Sequence, residues 1–329
     1  MKHYANRLGL RLALVSGVVL GTPGIRAQVK DSGNSVQVHM VVTVEPLRDG
    51  DNTVAALAKE DVKVQQRKDL FKVTQWIPSR GEQAGLQLFI LIDDTSDTSL
   101  GSQLGDLRAF VSAQPATTWI GVGYMRNTTV NIVQNFTTDH AAAGKALRLP
   151  LGGLGASDSP YLSLISLLKG WPENKLRREV LMVTDGIDRL RSTSPGAGLR
   201  GGGLSSMPYI SPDVDSASTA AQRYGVIVHS IYTRGIGHAG RNYFVATNGQ
   251  NGLAKLADET GGESFFMGLQ NAISFKPYLD RLQMILDNQY YLVFLAKPGK
   301  KAGLQRIKIS TEAPKVEIVS ADNVWVPGS

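Results

Sequence analysis

Two acidic, hydroxyl-rich segments follow apolar runs in the 329-residue chain. Asp93-Asp-Thr-Ser-Asp-Thr-Ser99 comes directly after residues 86–92, and Thr184-Asp-Gly186 comes directly after residues 180–183. Continuous apolar runs are typical of strands buried on both faces of a parallel sheet. Because ligands bind beyond the carboxyl ends of such strands, we expect the two segments at one site. Carboxylate and hydroxyl oxygens suit hard divalent cations, so the segments predict a site for Mg²⁺ or Mn²⁺.

The first segment offers two registers for its metal ligands. Counted from Asp94, hydroxyl residues follow at alternate positions, as Ser96 and Thr98. Counted from Asp93, a carboxylate replaces the last hydroxyl. Strand geometry favours Asp93, which directly follows the apolar run.

The order of these features over about residues 86–285 resembles the von Willebrand factor A domain. The metal-ion-dependent adhesion site of that family combines a D-x-S-x-S loop, a separate threonine and a T-D-G turn. Compared with that loop, the ligand chemistry favours the register counted from Asp94, so the resemblance implies Asp94, Ser96 and Thr98 as ligands, with Asp93 as the alternative. In the same way Asp185 is implied as a ligand, and Ser157 replaces the threonine, which residues 152–159 lack. It also implies that a carboxylate of a partner protein completes the metal shell. The alternative is a degenerate site, in which these side chains only cap a helix and satisfy loop backbone.

The wider pattern predicts an α/β fold with a doubly wound, mostly parallel sheet. Apolar runs at 86–92, 119–125, 180–183 and 226–231 alternate with amphipathic helical stretches. One strand, at 129–136, follows its predecessor after only three residues, which is too short for a parallel crossover. We therefore predict one antiparallel hairpin at the sheet edge, as in the resembling family.

Period-two alternation at both ends of the chain predicts additional half-buried strands. Neither set could form a sizeable core alone, so we expect one small β-sandwich built from both ends. The predicted division is a signal peptide at 1–27, a β segment at 28–85, the von Willebrand factor A-like domain at 86–285 and a second β segment at 286–329.

Two long segments, 189–211 and 233–250, are expected as loops at the carboxyl ends of parallel strands. Loops of this length are commonly functional, and arginine and aromatic side chains are typical of interface hot spots. The residues predicted to form a partner-binding rim are Arg200, Tyr209, His238, Arg241, Tyr243 and Phe244. A mobile insertion with ordinary packing aromatics is the alternative.

Residues 1–27 are typical of a secretory signal peptide, with basic residues before a nine-residue apolar run. Removing their four basic residues lowers the net charge from +7 to +3, so the basic composition does not indicate a nucleic-acid partner. We expect an exported protein, periplasmic or extracellular, with no membrane span after cleavage. The absence of cysteine excludes disulfides, thiolate metal sites and cysteine catalysis.

The enzyme motifs considered are not matched. No G-x-S-x-G, P-loop or G-x-G-x-x-G follows a predicted strand, and His229 lies inside an apolar run, where a core role is expected. With none of these motifs matched, we expect the function that the resemblance implies, which is non-enzymatic protein binding or adhesion. The alternatives are metal-free binding by a degenerate site and, less favoured, metal-assisted hydrolysis.

Overall fold

A computed structural model describes residues 35–47, 56–152, 158–192, 209–235, 243–266, 268, 270 and 272–328. The predicted signal peptide lies outside these residues. No helix in the described part of the chain is long and apolar enough to cross a bilayer.

The strands are β1 Val36–Pro46, β2 Val62–Gln66, β3 Asp69–Phe71, β4 Val73–Pro78, β5 Leu86–Asp93, β6 Thr118–Arg126, β7 Thr129–Thr137, β8 Arg177–Thr184, β9 Val226–Tyr232, β10 Ser264–Phe265, β11 Gln289–Ala296, β12 Gly303–Arg306, β13 Lys308–Thr311, β14 Val316–Val319 and β15 Asn323–Val326. The α-helices are α1 Leu104–Ser112, α2 His140–Ala146, α3 Pro160–Lys169, α4 Arg189–Ser192, α5 Pro212–Tyr224, α6 Tyr243–Thr260 and α7 Lys276–Asp287.

The central sheet has the strand order β10-β9-β8-β5-β6-β7. Its neighbouring strands are parallel except β7, which pairs antiparallel with β6 through a short turn at the edge. The predicted α/β class, with one antiparallel edge hairpin, is confirmed. We call the side of the sheet where β5, β6, β8 and β9 end the carboxyl edge.

Helices cover both faces of this sheet, because β5, β8 and β9 carry apolar side chains on both faces. Helices α1, α2 and α7 pack on one face, around Leu88, Ile90 and Ile92 of β5. Helices α3, α5 and α6 pack on the other, around Phe89 and Leu91. A helix that follows a parallel strand runs back across the sheet, so α5 and α6 begin near the carboxyl edge.

The two ends of the chain combine in further antiparallel sheets, as expected. The strand orders are β14-β1-β11-β4, β13-β2-β3 and β12-β15. Buried residues from all three sheets share one core, including Val42 of β1, Val64 of β2 and Val326 of β15. The exact limits of the domains stay a prediction.

Helix α6 corrects the expectation that residues 233–250 form a loop, because it begins at Tyr243. The sequence 248–252 is rich in asparagine and glycine, which indicates a turn. Close packing explains these glycines instead. A Cβ at Gly249 would lie 2.2 Å from the carbonyl oxygen of Asp185, and one at Gly252 would lie 2.3 Å from the hydroxyl of Tyr161.

Candidate functional site

Asp93 ends β5 and turns its buried carboxylate into the carboxyl edge. Its Oδ1 accepts hydrogen bonds from the backbone nitrogen of Thr95 at 2.9 Å and from the Thr95 hydroxyl at 2.6 Å. Its Oδ2 accepts one from the hydroxyl of Thr184 at 2.8 Å. The ends of β5 and β8 are thus joined through Asp93.

Asp94, the next residue, belongs to a different set of contacts. Its Oδ1 accepts from Arg148 Nη1 at 2.8 Å, and its Oδ2 accepts from Nη2 at 3.2 Å. The backbone nitrogen of Leu151 also donates to Oδ1, at 2.9 Å. Arg126 lies 3.9 Å from Oδ2. Arg148 therefore balances the charge of Asp94, which anchors the 148–152 segment over the carboxyl edge.

Asp185 lies in the turn after β8 and forms a buried ion pair with Arg189, four residues later. Arg189 Nη2 donates to Asp185 Oδ2, and Nη1 donates to Oδ1 at 3.4 Å. The backbone nitrogen of Ile187 also donates to Oδ1, at 2.9 Å. Only 10% of the Arg189 side chain is exposed, so this guanidinium is enclosed with its carboxylate.

Asp93, Asp158 and Asp185 together form what we call the acid centre. Burial raises the pKa of Asp185; Arg189 opposes that rise, and Asp93 adds to it. Burial likewise raises the pKa of Asp158, a hydrogen bond from the backbone of Thr128 opposes the rise, and the charge of Asp93 adds to it. Three carboxylates are thus electrostatically coupled around one guanidinium.

Backbone of the 96–97 and 234–235 segments covers the acid centre. Ser96 and Gly235 form an isolated antiparallel bridge, and the nitrogen of Asp97 donates to the carbonyl of Arg234 at 3.3 Å. A Cβ at Gly235 would lie 1.9 Å from Asp185 Oδ2 and 2.6 Å from Arg189 Nη2. Only glycine can therefore approach the ion pair this closely.

Among the residues that the structure describes, the predicted metal ligands do not all lie together. Asp94 contacts Arg148, Thr98 is exposed at the start of a 3-10 helix, and Ser157 lies outside the described residues. Asp185 and the alternative Asp93 do lie together, with the Ser96 hydroxyl buried nearby without a hydrogen-bond partner. Whether any of them binds a metal stays a prediction.

The donor set does not fit a divalent cation while Arg189 is in place. Its guanidinium engages both oxygens of Asp185, and its positive charge would repel a metal ion held by Asp93 or Asp185. No group of three or more metal-ligating acidic or histidine side chains is found among the described residues. Arg189 is the residue that sequence reasoning missed. Its spacing of four from Asp185 is not a helical signal, because Asp185 lies in a turn and the helix begins only at Arg189.

Apolar side chains are exposed around the same edge. Leu149 and Leu151 follow α2, Tyr209 and Ile210 precede α5, Tyr243 and Phe244 open α6, and Ile273 precedes α7. We call these seven residues the apolar rim. The rings of Tyr243 and Phe244 pack edge to face at 5.6 Å, and the nitrogen of Tyr209 donates to Asn248 Oδ1 at 3.0 Å. Three predicted rim residues, Arg200, His238 and Arg241, lie outside the described residues.

We expect Gly249→Ala to lower the free energy of unfolding by about 1–3 kcal/mol, because the new Cβ must displace the Asp185 backbone. Chemical denaturation measures this change. The matched control is Gly105→Ala in α1, where nothing lies within 4 Å of the added Cβ. That variant should be neutral or stabilised by up to about 1 kcal/mol. Equal losses in both variants would contradict the close approach of α6 to the turn after β8.

No protein-family model matches the chain, and no curated protein matches it in sequence. Solved structures similar to it include BatB from Bacteroides thetaiotaomicron, at 13% identity and a TM-score of 0.41, over 61% of this chain and 97% of that one. A von Willebrand factor type A protein from Catenulispora acidiphila is 10% identical, with a TM-score of 0.41, over 91% of this chain and 76% of that one.

The vWF domain of the type V pili tip protein Mfa5 from Porphyromonas gingivalis is also similar. It is 12% identical, with a TM-score of 0.40, over 61% of this chain and 95% of that one.

Proposed function

We propose that this chain is an exported, non-enzymatic protein-interaction module of the von Willebrand factor A type, which binds its partner at the carboxyl edge without a metal ion. The observation that carries the proposal is the apolar rim. Seven large apolar residues are exposed there, at the ends of separate loops and helices, around one buried charged centre. Exposed apolar groups gathered at one edge of a protein are typical of interaction sites.

The rim has the composition of an interface. Tyr243 is 62% exposed and Ile273 is 92% exposed, so binding would remove much apolar area from water. Tyrosine and phenylalanine provide large contact areas at low cost in conformational entropy. The rigid sheet below holds the loop and helix ends that carry these side chains, which favours their use as a preformed surface.

An acidic group of the partner remains part of the proposal, with arginine as its contact instead of a metal. Arg126 ends β6 at the carboxyl edge, and 53% of its side chain is exposed. Its neighbour Asp94 is already engaged by Arg148 on both oxygens. Arg126 is therefore placed to donate two hydrogen bonds to a second carboxylate, one from the partner.

Export is proposed from residues 1–27 alone. Its test is cell fractionation of the full chain and of a variant that lacks those residues. The full chain should be recovered outside the cytoplasm and shortened, and the variant should stay inside. Recovery of both in the cytoplasm would overturn export without affecting the proposed interaction surface.

Site-specific crosslinking tests the interaction surface. A photoreactive phenylalanine analogue at Tyr243 or Leu151 should give one adduct of defined mass, and the same analogue at Ile132 or Val133 should not. Ile132 and Val133 are the matched controls, because they are also exposed but lie within β7. The adduct should form equally in the presence of EDTA. Adducts at the control positions alone would overturn the proposal.

The double variant Tyr243→Ser, Phe244→Ser should weaken partner binding at least tenfold, since truncating a hot-spot aromatic costs about 2 kcal/mol or more. Titration of the crosslinked partner, once identified by mass spectrometry, measures the dissociation constant. The control variant Ile132→Ser, Val133→Ser should bind normally. Unchanged affinity in the rim variant would exclude these two side chains as the contact.

A further inference from the structure

We infer that Arg189 is a built-in cation, which takes the place that a divalent metal ion would have among the carboxylates of the acid centre. The inference deepens the proposed function, because it explains how that surface would be kept in shape without a metal. Because Arg189 is part of the chain, its positive charge is present whatever the concentration of metal ions. The site would then be independent of the ionic composition outside the cell.

Arg189 interacts with all three carboxylates of the acid centre. Its guanidinium engages both oxygens of Asp185 and interacts electrostatically with Asp93 and Asp158. Burial alone would lower the pKa of Arg189, but the charges of Asp185 and Asp93 outweigh it, so the pKa is raised. Arg189 is thus ion-paired with Asp185 in the turn after β8. It also acts electrostatically on Asp93 at the end of β5 and on Asp158, which precedes the N-cap of α3.

The centre also contains oxygen atoms that no protein group satisfies. Ser96 Oγ and Asp158 Oδ2 are buried and lack a hydrogen-bond partner. Both residues are more than nine-tenths buried. Together with Asp93 and Asp185 they provide hydroxyl and carboxylate oxygens, which are ligands for Mg²⁺ or Mn²⁺. These oxygens are of the kind that binds such cations, but the described residues of wild type offer no ready group of three metal-ligating side chains, and Arg189 supplies the positive charge.

Removing Arg189 should convert this centre into one that responds to metal. In Arg189→Ala the carboxylates lose their counter-charge and space opens beside Asp185, so a divalent cation can enter. We expect the variant to melt at a lower temperature than wild type in EDTA. Millimolar Mn²⁺ should raise its melting temperature by roughly 5 °C, since a ligand that binds only the native state stabilises it.

Two matched variants separate charge from packing. Arg191 lies on the same short helix and pairs with Asp213 outside the centre, so Arg191→Ala should show no response to Mn²⁺. Arg189→Lys keeps a positive charge and should also show none, whereas the neutral Arg189→Gln should respond like Arg189→Ala. These two position-189 variants keep the test valid if the alanine variant does not fold.

Wild type gives an independent readout, without any partner. Electron paramagnetic resonance of free Mn²⁺ should show no binding to wild type and binding to Arg189→Gln. Binding of Mn²⁺ to wild type, or equal metal responses of the lysine and glutamine variants, would overturn the inference. Neither result would decide whether the interaction surface exists, because that surface is tested by crosslinking of wild type in EDTA.

Discussion

Replacing His229 with leucine should lower the free energy of unfolding by about 3 kcal/mol, because it removes the hydrogen-bond donor of a fully buried carboxyl group. His229 of β9 and Glu179 of β8 lie on neighbouring strands, two positions apart in register, and neither is exposed to solvent. His229 Nε2 lies 2.9 Å from Glu179 Oε2, and the nitrogen of Glu263 donates to Nδ1 at 3.1 Å. Because Nδ1 accepts a hydrogen bond, Nε2 is the nitrogen that donates to Glu179.

The matched control for His229→Leu is the double variant that also carries Glu179→Met. Because the second change removes the stranded carboxyl group, the double variant should recover most of the lost stability. Denaturant unfolding of wild type, both single variants and the double variant completes the cycle. Additive losses in the two single variants would show that the pair is not coupled. A loss below about 1 kcal/mol in His229→Leu would contradict its structural role.

Arg177→Met should lower the free energy of unfolding by about 3 kcal/mol and weaken the junction between the central sheet and the sandwich. Arg177 is buried at the start of β8 and donates to the carbonyl of Leu286 at 2.9 Å, to Gln289 Oε1 at 2.6 Å and to the carbonyl of Ala84 at 2.9 Å. Ala84 precedes β5, while Leu286 and Gln289 flank the passage from α7 into β11. One guanidinium therefore links the two connections by which the chain passes between the sandwich and the central sheet.

Arg178→Met is the control for Arg177→Met, since it alters the neighbouring residue on the same strand. Arg178 is only half-buried, and its guanidinium donates to the carbonyls of Tyr224 and Asn174 near the surface. Water can donate to these two carbonyl groups instead, so Arg178→Met should lower the free energy of unfolding by less than about 1.5 kcal/mol. Denaturant unfolding measures both, and hydrogen exchange at Leu86 and Gln289 reports the junction. Equal losses of unfolding free energy in the two variants would contradict the role of Arg177 at this junction.

Much of the fold could be predicted because its strands are either buried on both faces or alternate with period two. The run at 86–92 became β5, and the short turn before 129 became the antiparallel edge hairpin. Helix α6 could not be predicted over its first turns, because its glycines signal a turn in isolation. These glycines are needed because α6 packs closely against Asp185 and Tyr161, which are distant in sequence.

The candidate site was predictable only in part. Asp93 and Asp94 both follow a strand that is buried on each face, so alternation could not say which carboxylate turns toward Thr184. The structure gives that place to Asp93 and pairs Asp94 with Arg148, which is 54 residues away in sequence. No local pattern indicates such a distant pair, because the bond depends on where the chain returns.

By itself, the sequence determined the α/β class, the sandwich from both chain ends and the presence of acidic residues at the carboxyl edge. These follow from local periodicity and from the apolar character of whole segments. Tertiary structure alone decided which acid meets which cation, and that backbone encloses Asp185 with Arg189. The physical reason is that electrostatic energy depends on distance in space and on burial, and loops separated along the chain set both.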